Sequence, residues 1–173
     1  MTDKIRLREL TKTDTATSWK WRNQDAVRNH FAGHPYAVSK EQEEEWFEKS
    51  VLGNASMSAL AVEVITTGQF VGIVFLKDIH KINRKAEFAI MIDQSFAGLG
   101  YGKEACYKML KHGFTSLGLH RIFLHVRVDN PAAIHIYEAC GFKKEGELRD
   151  DVFKNGAFIN QYSMGILATE FNG

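Results

Sequence analysis

The chain has 173 residues, 45% hydrophobic and 25% charged, with a net charge of +1, which fits one ordinary globular domain able to bury a substantial core. That near-neutral balance excludes a general nucleic-acid binder, which would carry a basic excess. Cys106 and Cys140 have no Cys-x-x-Cys spacing, so neither a zinc site nor a disulfide framework is indicated. The N-terminal Met1-Thr-Asp-Lys-Ile-Arg lacks the apolar segment of a signal peptide, and no apolar run reaches membrane-spanning length. The expectation is a cytoplasmic protein without membrane contact.

Ile5–Glu9 alternates apolar and charged residues, as a half-buried strand does. Asp14 stands where it would cap a helix through Trp19, Trp21 and Arg22. Residues 24–38, with Gly33 and Pro35, read as loop with one helical turn around Val27-Arg28. Ser39 with Gln42 forms a capping box for a helix over about 40–52. That helix carries Glu41, Glu43, Glu44, Glu45 and Glu48, which read as a solvated acidic face; the alternative is a seat for a cationic substrate or effector.

From residue 57 the pattern turns to strands. Met57–Val64 and Phe70–Asp78 form a hairpin around Thr66-Thr67-Gly68, and Ala86–Ile92 follows a polar connection. Next comes Phe96-Ala-Gly-Leu-Gly-Tyr-Gly-Lys, whose alternating glycines open a helix with Ala105, Met109 and Leu110 on one stripe. Unpaired N–H groups and the positive dipole end at a helix start form an anion seat, so the stretch predicts a phosphate or pyrophosphate site. It is not a P-loop, because Glu104 stands where the magnesium-binding hydroxyl belongs; nor is it a dinucleotide fingerprint, because Lys103 replaces the third glycine. On this stretch alone, a plain turn before a helix explains the glycines equally well.

His120–Val128 alternates as a strand. Asn130 as N-cap, Pro131 at the first helical position and Gly141 beyond the last turn bound a short helix. Two strands, near Phe142–Leu148 and Ile159–Leu167, flank the turn Lys154-Asn155-Gly156. The order is strand, two helices, three strands, helix, strand, helix, two strands, a mixed α/β sheet with helices on its faces.

Three segments carry a family likeness: Ala86-Glu-Phe-Ala-Ile-Met-Ile92, Ala97-Gly-Leu-Gly-Tyr-Gly102, and Asn130 through Tyr137 to Gly141-Phe142. In this order they resemble the GNAT superfamily of acetyl-CoA-dependent N-acetyltransferases. Gly100 and Gly102 fill the glycines of the family's phosphate loop, while Ala97 replaces its leading Arg or Gln. The likeness covers about residues 57–170, and the first fifty more loosely. Glu145-Gly-Glu-Leu with Lys154-Asn-Gly is similar to the branch holding spermidine and ribosomal-protein N-terminal acetyltransferases. Trp21-Arg-Asn23 with Val27-Arg28 is similar to enzymes acting on amino-sugar nucleotides.

The resemblance implies a mostly antiparallel α/β (α+β) sheet of about seven strands in a single domain over 1–173. Residues 1–54 would supply acceptor-side helices, and 55–170 the acetyl-CoA-binding core. It implies acetyl-CoA as cosubstrate, no metal, an amine acceptor (polyamine-like or a protein N-terminus), and allows a homodimer. The pyrophosphate would sit on backbone N–H groups of Leu99, Gly100, Tyr101, Gly102 and Lys103. The thioester carbonyl would sit near Met91 and Ile92, where the family strand bulges, and the pantetheine arm near Asn130. Tyr137 would be the general acid, though periodicity alone reads it as packing; Asn130 alone reads as a cap. Glu87 would be base or water-organiser, since a charge on an apolar strand is costly if buried unpaired; the alternative is an exposed strand-end glutamate. Trp21, Arg22 and Arg28 would serve a sugar nucleotide. A non-catalytic acyl-CoA-binding module remains the reading from another class. Seven scattered histidines give no metal spacing, His135 reads as a surface residue, and no Gly-x-Ser-x-Gly elbow supports a hydrolase.

Overall fold

The computed structural model describes residues 3–30 and 36–173; the expected loop around Gly33 and Pro35 lies outside the described residues. Seven strands form one sheet: β1 (Ile5–Glu9), β2 (Ser58–Val64), β3 (Phe70–His80), β4 (Lys85–Ile92), β5 (Arg121–Arg127), β6 (Lys143–Lys154) and β7 (Ala157–Leu167). Their spatial order is β1-β2-β3-β4-β5-β7-β6, and all neighbours are antiparallel except β4 and β5. The mixed, mostly antiparallel sheet expected from the sequence is the one observed.

Helices α1 (Thr15–Arg22), α2 (Asp25–His30) and α3 (Lys40–Trp46) precede β2; α4 (Tyr101–Lys111) and α5 (Pro131–Ala139) flank β5 in sequence. The single turn expected around Val27 is therefore a helix of its own. The Ser39–Gln42 capping box forms as the sequence implies, with Gln42 N 3.2 Å from Ser39 Oγ and Ser39 N 2.8 Å from Gln42 Oε1. Beyond α3 the helix widens, and Leu52 N donates to Phe47 O at 3.0 Å.

The two faces of the sheet bury separate cores. Val74, Leu76, Ala86, Phe88, Ile122 and Leu124 pack with Ala105, Cys106, Met109 and Leu110 of α4. On the other face Ile73, Phe75 and Met91 pack with Trp21, Val27 and Phe47 of the N-terminal layer. Alternate residues of β3 and β4 thus serve opposite layers, which explains why Val71–Leu76 is an unbroken buried run instead of an alternating one.

Two N-terminal expectations are corrected. Asp14 stands before α1 but its side chain does not cap it; the carboxylate accepts from Thr11 N at 2.9 Å and from Arg8 Nη1 and Nη2 at 2.8 Å. Arg8 also donates to Glu63 Oε2 at 2.6 Å, and Arg6 joins the same carboxylate, so charge pairing outcompetes the cap. These partners hold Glu63 below the usual carboxylate range. At Asp14 burial pushes the carboxyl up, but the bonds from Arg8 and Thr11 outweigh it and hold it down.

The acidic helix is not uniformly solvated either. Glu43 is 1% exposed, with Ser18 Oγ donating to it at 2.6 Å and Arg22 Nε 2.5 Å away. Glu44, Glu45 and Glu48 pair with Lys40, Lys49 and Lys12. A single turn of sequence periodicity cannot reveal that one glutamate of five faces inward toward an arginine on a different helix.

Candidate acetyl-transfer site

Among the described residues, the one parallel pair of the sheet is short. β4 and β5 are in register from Lys85↔Arg121 to Glu87↔Phe123, yet β4 continues to Ile92 and β5 to Arg127. Past Glu87 the strands part, leaving one edge of β4 without a strand partner. A cavity of about 330 Å³ occupies the split. Its wall takes Glu87, Lys77, His125 and Gln161 from one face of the sheet, and Phe88, Ile92, Val126, Asn130, Ile136 and Tyr137 from the other. It is open to both layers.

Gly102 carries this wall to the start of α4. Gly98 and Gly100 hold φ of +79° and +86°, left-handed values that strain any side chain, and this turns the chain from β4 into α4. Gly100 is the N-cap, Glu104 N donates back to Gly100 O at 3.1 Å, and the N–H groups of Tyr101, Gly102 and Lys103 belong to the open first turn. Lys4 Nζ donates to Leu99 O at 3.3 Å, and Glu104 accepts from Lys4 N and Ile5 N at 3.1 and 3.2 Å. The glutamate that rules out a P-loop thus fastens β1 to α4.

Asn130 caps α5: its Oδ1 accepts from Ala133 N at 3.2 Å, while its side chain also borders the cavity. One helix turn of proline start and a Gly141 at φ +97° limit α5 to nine residues and place Tyr137 on its inner face. The Tyr137 ring meets Phe88 and Phe142 edge-on at 6.0 and 5.8 Å. Burial, with smaller contributions from the Cys106 and Cys140 thiols, pushes the Tyr137 phenol well up from its ordinary value. The group therefore stays protonated across the working pH range. Packing and proton donation are compatible roles here, since the ring edge packs while the side chain borders the cavity.

Glu87 is not a strand-end surface residue. Its Oε2 lies 3.3 Å from Lys77 Nζ and its Oε1 3.8 Å from His125 Nδ1. Met91 and Ile92 part company. Ile92 lines the cavity, whereas the Met91 side chain is buried in the N-terminal layer. The bulge expected there is absent: β3 and β4 stay in register from Gly72↔Ile92 to Lys77↔Glu87, and the irregularity falls between Lys77 and His80. Gly72 makes this possible, because a Cβ there would stand 2.5 Å from Met91 O. The open edge of β4 comes from the loss of its β5 partner, without a bulge.

The structure thus gathers Tyr137, Glu87, Ile92, Gly102 and Asn130 at one cavity, with Leu99, Gly100, Tyr101 and Lys103 in the turn beside Gly102. Lys77, His125, Arg127 and Gln161 also line it and were not singled out by sequence. Lys77 had a signal: a lysine ending an apolar run, opposite the one glutamate of the next strand. His135 is exposed, as expected. Trp21 is buried against Phe70 (centroids 4.6 Å apart), and Arg22 is committed to Glu43, so neither presents a face to a nucleotide. Among the described residues no cluster of His, Cys, Asp or Glu could hold a metal ion, and no helix is long and apolar enough to cross a membrane.

Comparison with known proteins agrees with this fold. The acetyltransferase (GNAT) domain family matches residues 4–143. A spermidine N(1)-acetyltransferase of Vibrio cholerae serotype O1 is 33% identical over 171 residues, covering 99% of this chain and 97% of that protein. The ribosomal-protein-serine acetyltransferase of Escherichia coli is 29% identical over 128 residues, 70% of this chain and 72% of that one. The crystal structure of the Vibrio cholerae spermidine N-acetyltransferase with CoA and spermine superposes with a TM-score of 0.92 at 32% identity, covering 99% of this chain and 100% of that one. The chain belongs to the GNAT acetyltransferase family and is an acetyl-CoA-dependent N-acetyltransferase acting on a primary amine.

Proposed function

We propose that the acceptor is a polyamine and that acetyl transfer takes place in the split between β4 and β5. The observation that carries this is the position of Glu87: a carboxylate inside the cavity that also contains Tyr137, reached from the opposite face of the sheet. The Vibrio cholerae relative, a spermidine N(1)-acetyltransferase, and the crystal structure of the Vibrio cholerae spermidine N-acetyltransferase with CoA and spermine support the acceptor class.

In this reading the CoA pyrophosphate rests on the first turn of α4, from Leu99 to Lys103, and the pantetheine arm runs past Asn130 along the free edge of β4. The uncharged amine attacks the thioester carbon, and main-chain N–H groups of β4 near Ile92 stabilise the oxyanion. Collapse breaks the C–S bond. The attacking nitrogen gives up a proton to Glu87, directly or through water, and the departing sulfur takes one from the Tyr137 hydroxyl. Products are the N-acetylated amine and CoA thiol, and the proton on Glu87 returns to solvent as Tyr137 is reprotonated.

The same reading covers the organisation of the chain. Residues 1–54 form the acceptor side and 55–170 the acetyl-CoA core of a single domain. The two buried free thiols suit a reducing cytoplasm. A homodimer is supported by the β6–β7 hairpin, where the Phe153 and Phe158 rings meet tilted at 5.0 Å while each is 63% exposed; sedimentation velocity tests it.

The deciding experiment is thiol release from acetyl-CoA with spermidine, spermine, amino-sugar nucleotides, and peptides with N-terminal Ala or Ser. Saturable release with the polyamines is expected. Release with peptides or sugar nucleotides and none with polyamines refutes the acceptor assigned here.

A further inference from the structure

Among the described residues, the buried polar side chains Asp14, Thr15, Ser18, Glu43, Glu63 and Arg127 each hold a hydrogen-bond partner in the protein. Gln161 differs. It is 5% exposed, its carboxamide has no partner among the described residues, and it lines the cavity at the β4–β5 split. A buried amide without a partner is costly, and the cavity is where a partner can reach this one. We propose that Gln161 is a specificity residue for the acceptor: its Oε1 accepts a hydrogen bond from a nitrogen of the polyamine other than the one being acetylated. The inference rests on the acceptor being a polyamine and on transfer taking place in the split.

Sheet alternation decides which ligand Gln161 meets. Met164 of β7 belongs to the core beneath α4 and α5, so Gln161, three residues earlier, stands on the other face with Glu87 and His125. Acetyl-CoA is read on the α4 and α5 side, which leaves Gln161 to the amine side. Its depth is also distinct. Glu87 pairs in register with Phe123, whereas Gln161 pairs with Arg127, roughly 13 Å farther along β5 at the usual strand rise. A short monoamine held at Glu87 ends short of Gln161, while a polyamine carries further nitrogens along its chain toward it. The local charge permits this. Arg127 donates to Asp129 at 2.9 and 2.6 Å, and Lys77 stands 3.3 Å from Glu87, so each of these cations has a counter-ion. A neutral carbonyl takes an N–H from an ammonium or a free amine without adding charge beside them. The bland alternative is that ordered water satisfies the amide and no acceptor group touches it.

The test compares spermidine with propylamine, which has no second nitrogen, in wild type and Gln161→Met, a change that keeps side-chain length and removes the hydrogen-bonding groups. In Gln161→Met, kcat/KM for spermidine is expected to fall about ten- to a hundredfold, the range for one hydrogen bond to a charged donor, mainly through KM. Propylamine should be unaffected. The urea midpoint should not fall, because no hydrogen bond within the protein is lost. Calorimetry of spermidine binding to the CoA-bound protein reads the same contact without turnover: a Kd weakened by about tenfold or more is expected, with acetyl-CoA affinity unchanged. An unchanged ratio of spermidine to propylamine activity overturns the inference and leaves the amide to water. Equal losses with both amines, or a fall in urea midpoint that matches the loss of activity, assign Gln161 to packing and overturn it as well. A wild type that acetylates propylamine and is inert to spermidine fails the polyamine acceptor and this inference with it, whereas failure confined to the Gln161→Met comparison leaves that acceptor standing.

Discussion

Replacing Tyr137 with Phe separates chemistry from packing at this site. The change removes one oxygen and keeps the ring that meets Phe88 and Phe142. Among the described residues the hydroxyl has no hydrogen-bond partner to leave stranded. Stability should therefore stay within about 0.5 kcal/mol of wild type, as for substitutions that break no network. Turnover should fall by about 10²–10⁴, the usual contribution of a positioned acid, which at ~1.36 kcal/mol per decade is ~3–5 kcal/mol of barrier. Because burial pushes the phenol up from its ordinary value, ionisation of Tyr137 should not produce an alkaline loss of activity below about pH 10. The assays are stopped-flow thiol release, acetyl-CoA affinity, and urea denaturation on the same preparations. A variant with wild-type kcat would refute the acid assignment. A loss of stability matching the loss of activity would mean that Tyr137 acts as packing.

Two predictions concern the N-terminal layer. Glu43→Ala should destabilise the fold by ~3–5 kcal/mol in urea titration, since it leaves Arg22 without its ion-pair partner and Ser18 without an acceptor. Glu63 and Asp14 are both held below their ordinary values, so their contribution is complete above the unfolded-state value near ~4 and is lost as pH falls through the lower folded-state values. Glu63→Gln should flatten the dependence of unfolding free energy on pH below about 4, and an acid limb as steep as wild type would place that dependence elsewhere.

Most strands and the bounds of α5 were legible because their signals are local. Alternation marks Ile5–Glu9, and Asn130, Pro131 and Gly141 mark start and stop. What was not legible depends on partners distant in sequence. Asp14 has a cap residue's identity, but Arg8 and, through it, Glu63 of β2 take its carboxylate. Glu43 looks like its neighbours until α1 brings Ser18 and Arg22 against it. The expected bulge near Met91 belongs to the same class: the open edge of β4 arises from where β5 ends its pairing, a property of two strands thirty residues apart. Lys77 belongs to no motif, and its tie to Glu87 depends on the register of β3 against β4.

The location of the site follows from topology more than from any motif. A parallel pair cannot be closed by a hairpin and needs a crossover, which here is α4. The crossover begins at the carboxyl end of β4, and the next helix, α5, begins just beyond the carboxyl end of β5. Both helix starts therefore lie where the two strands part, and a split between parallel strands at their carboxyl ends is where α/β sheets bind ligands. Glycines at the first start form the turn where the proposed reading seats the CoA pyrophosphate, and Asn130 at the second caps its own helix while bordering the cavity. The split is also a place where residues from the two layers meet. Glu87 and Lys77 point to the N-terminal side, Tyr137 to the other, and a thioester lying in the split would have an amine-side carboxylate on one flank and a thiolate-side phenol on the other. Antiparallel closure of the same strands would have kept Glu87 and Tyr137, the proposed base and acid, on opposite sides of an unbroken sheet.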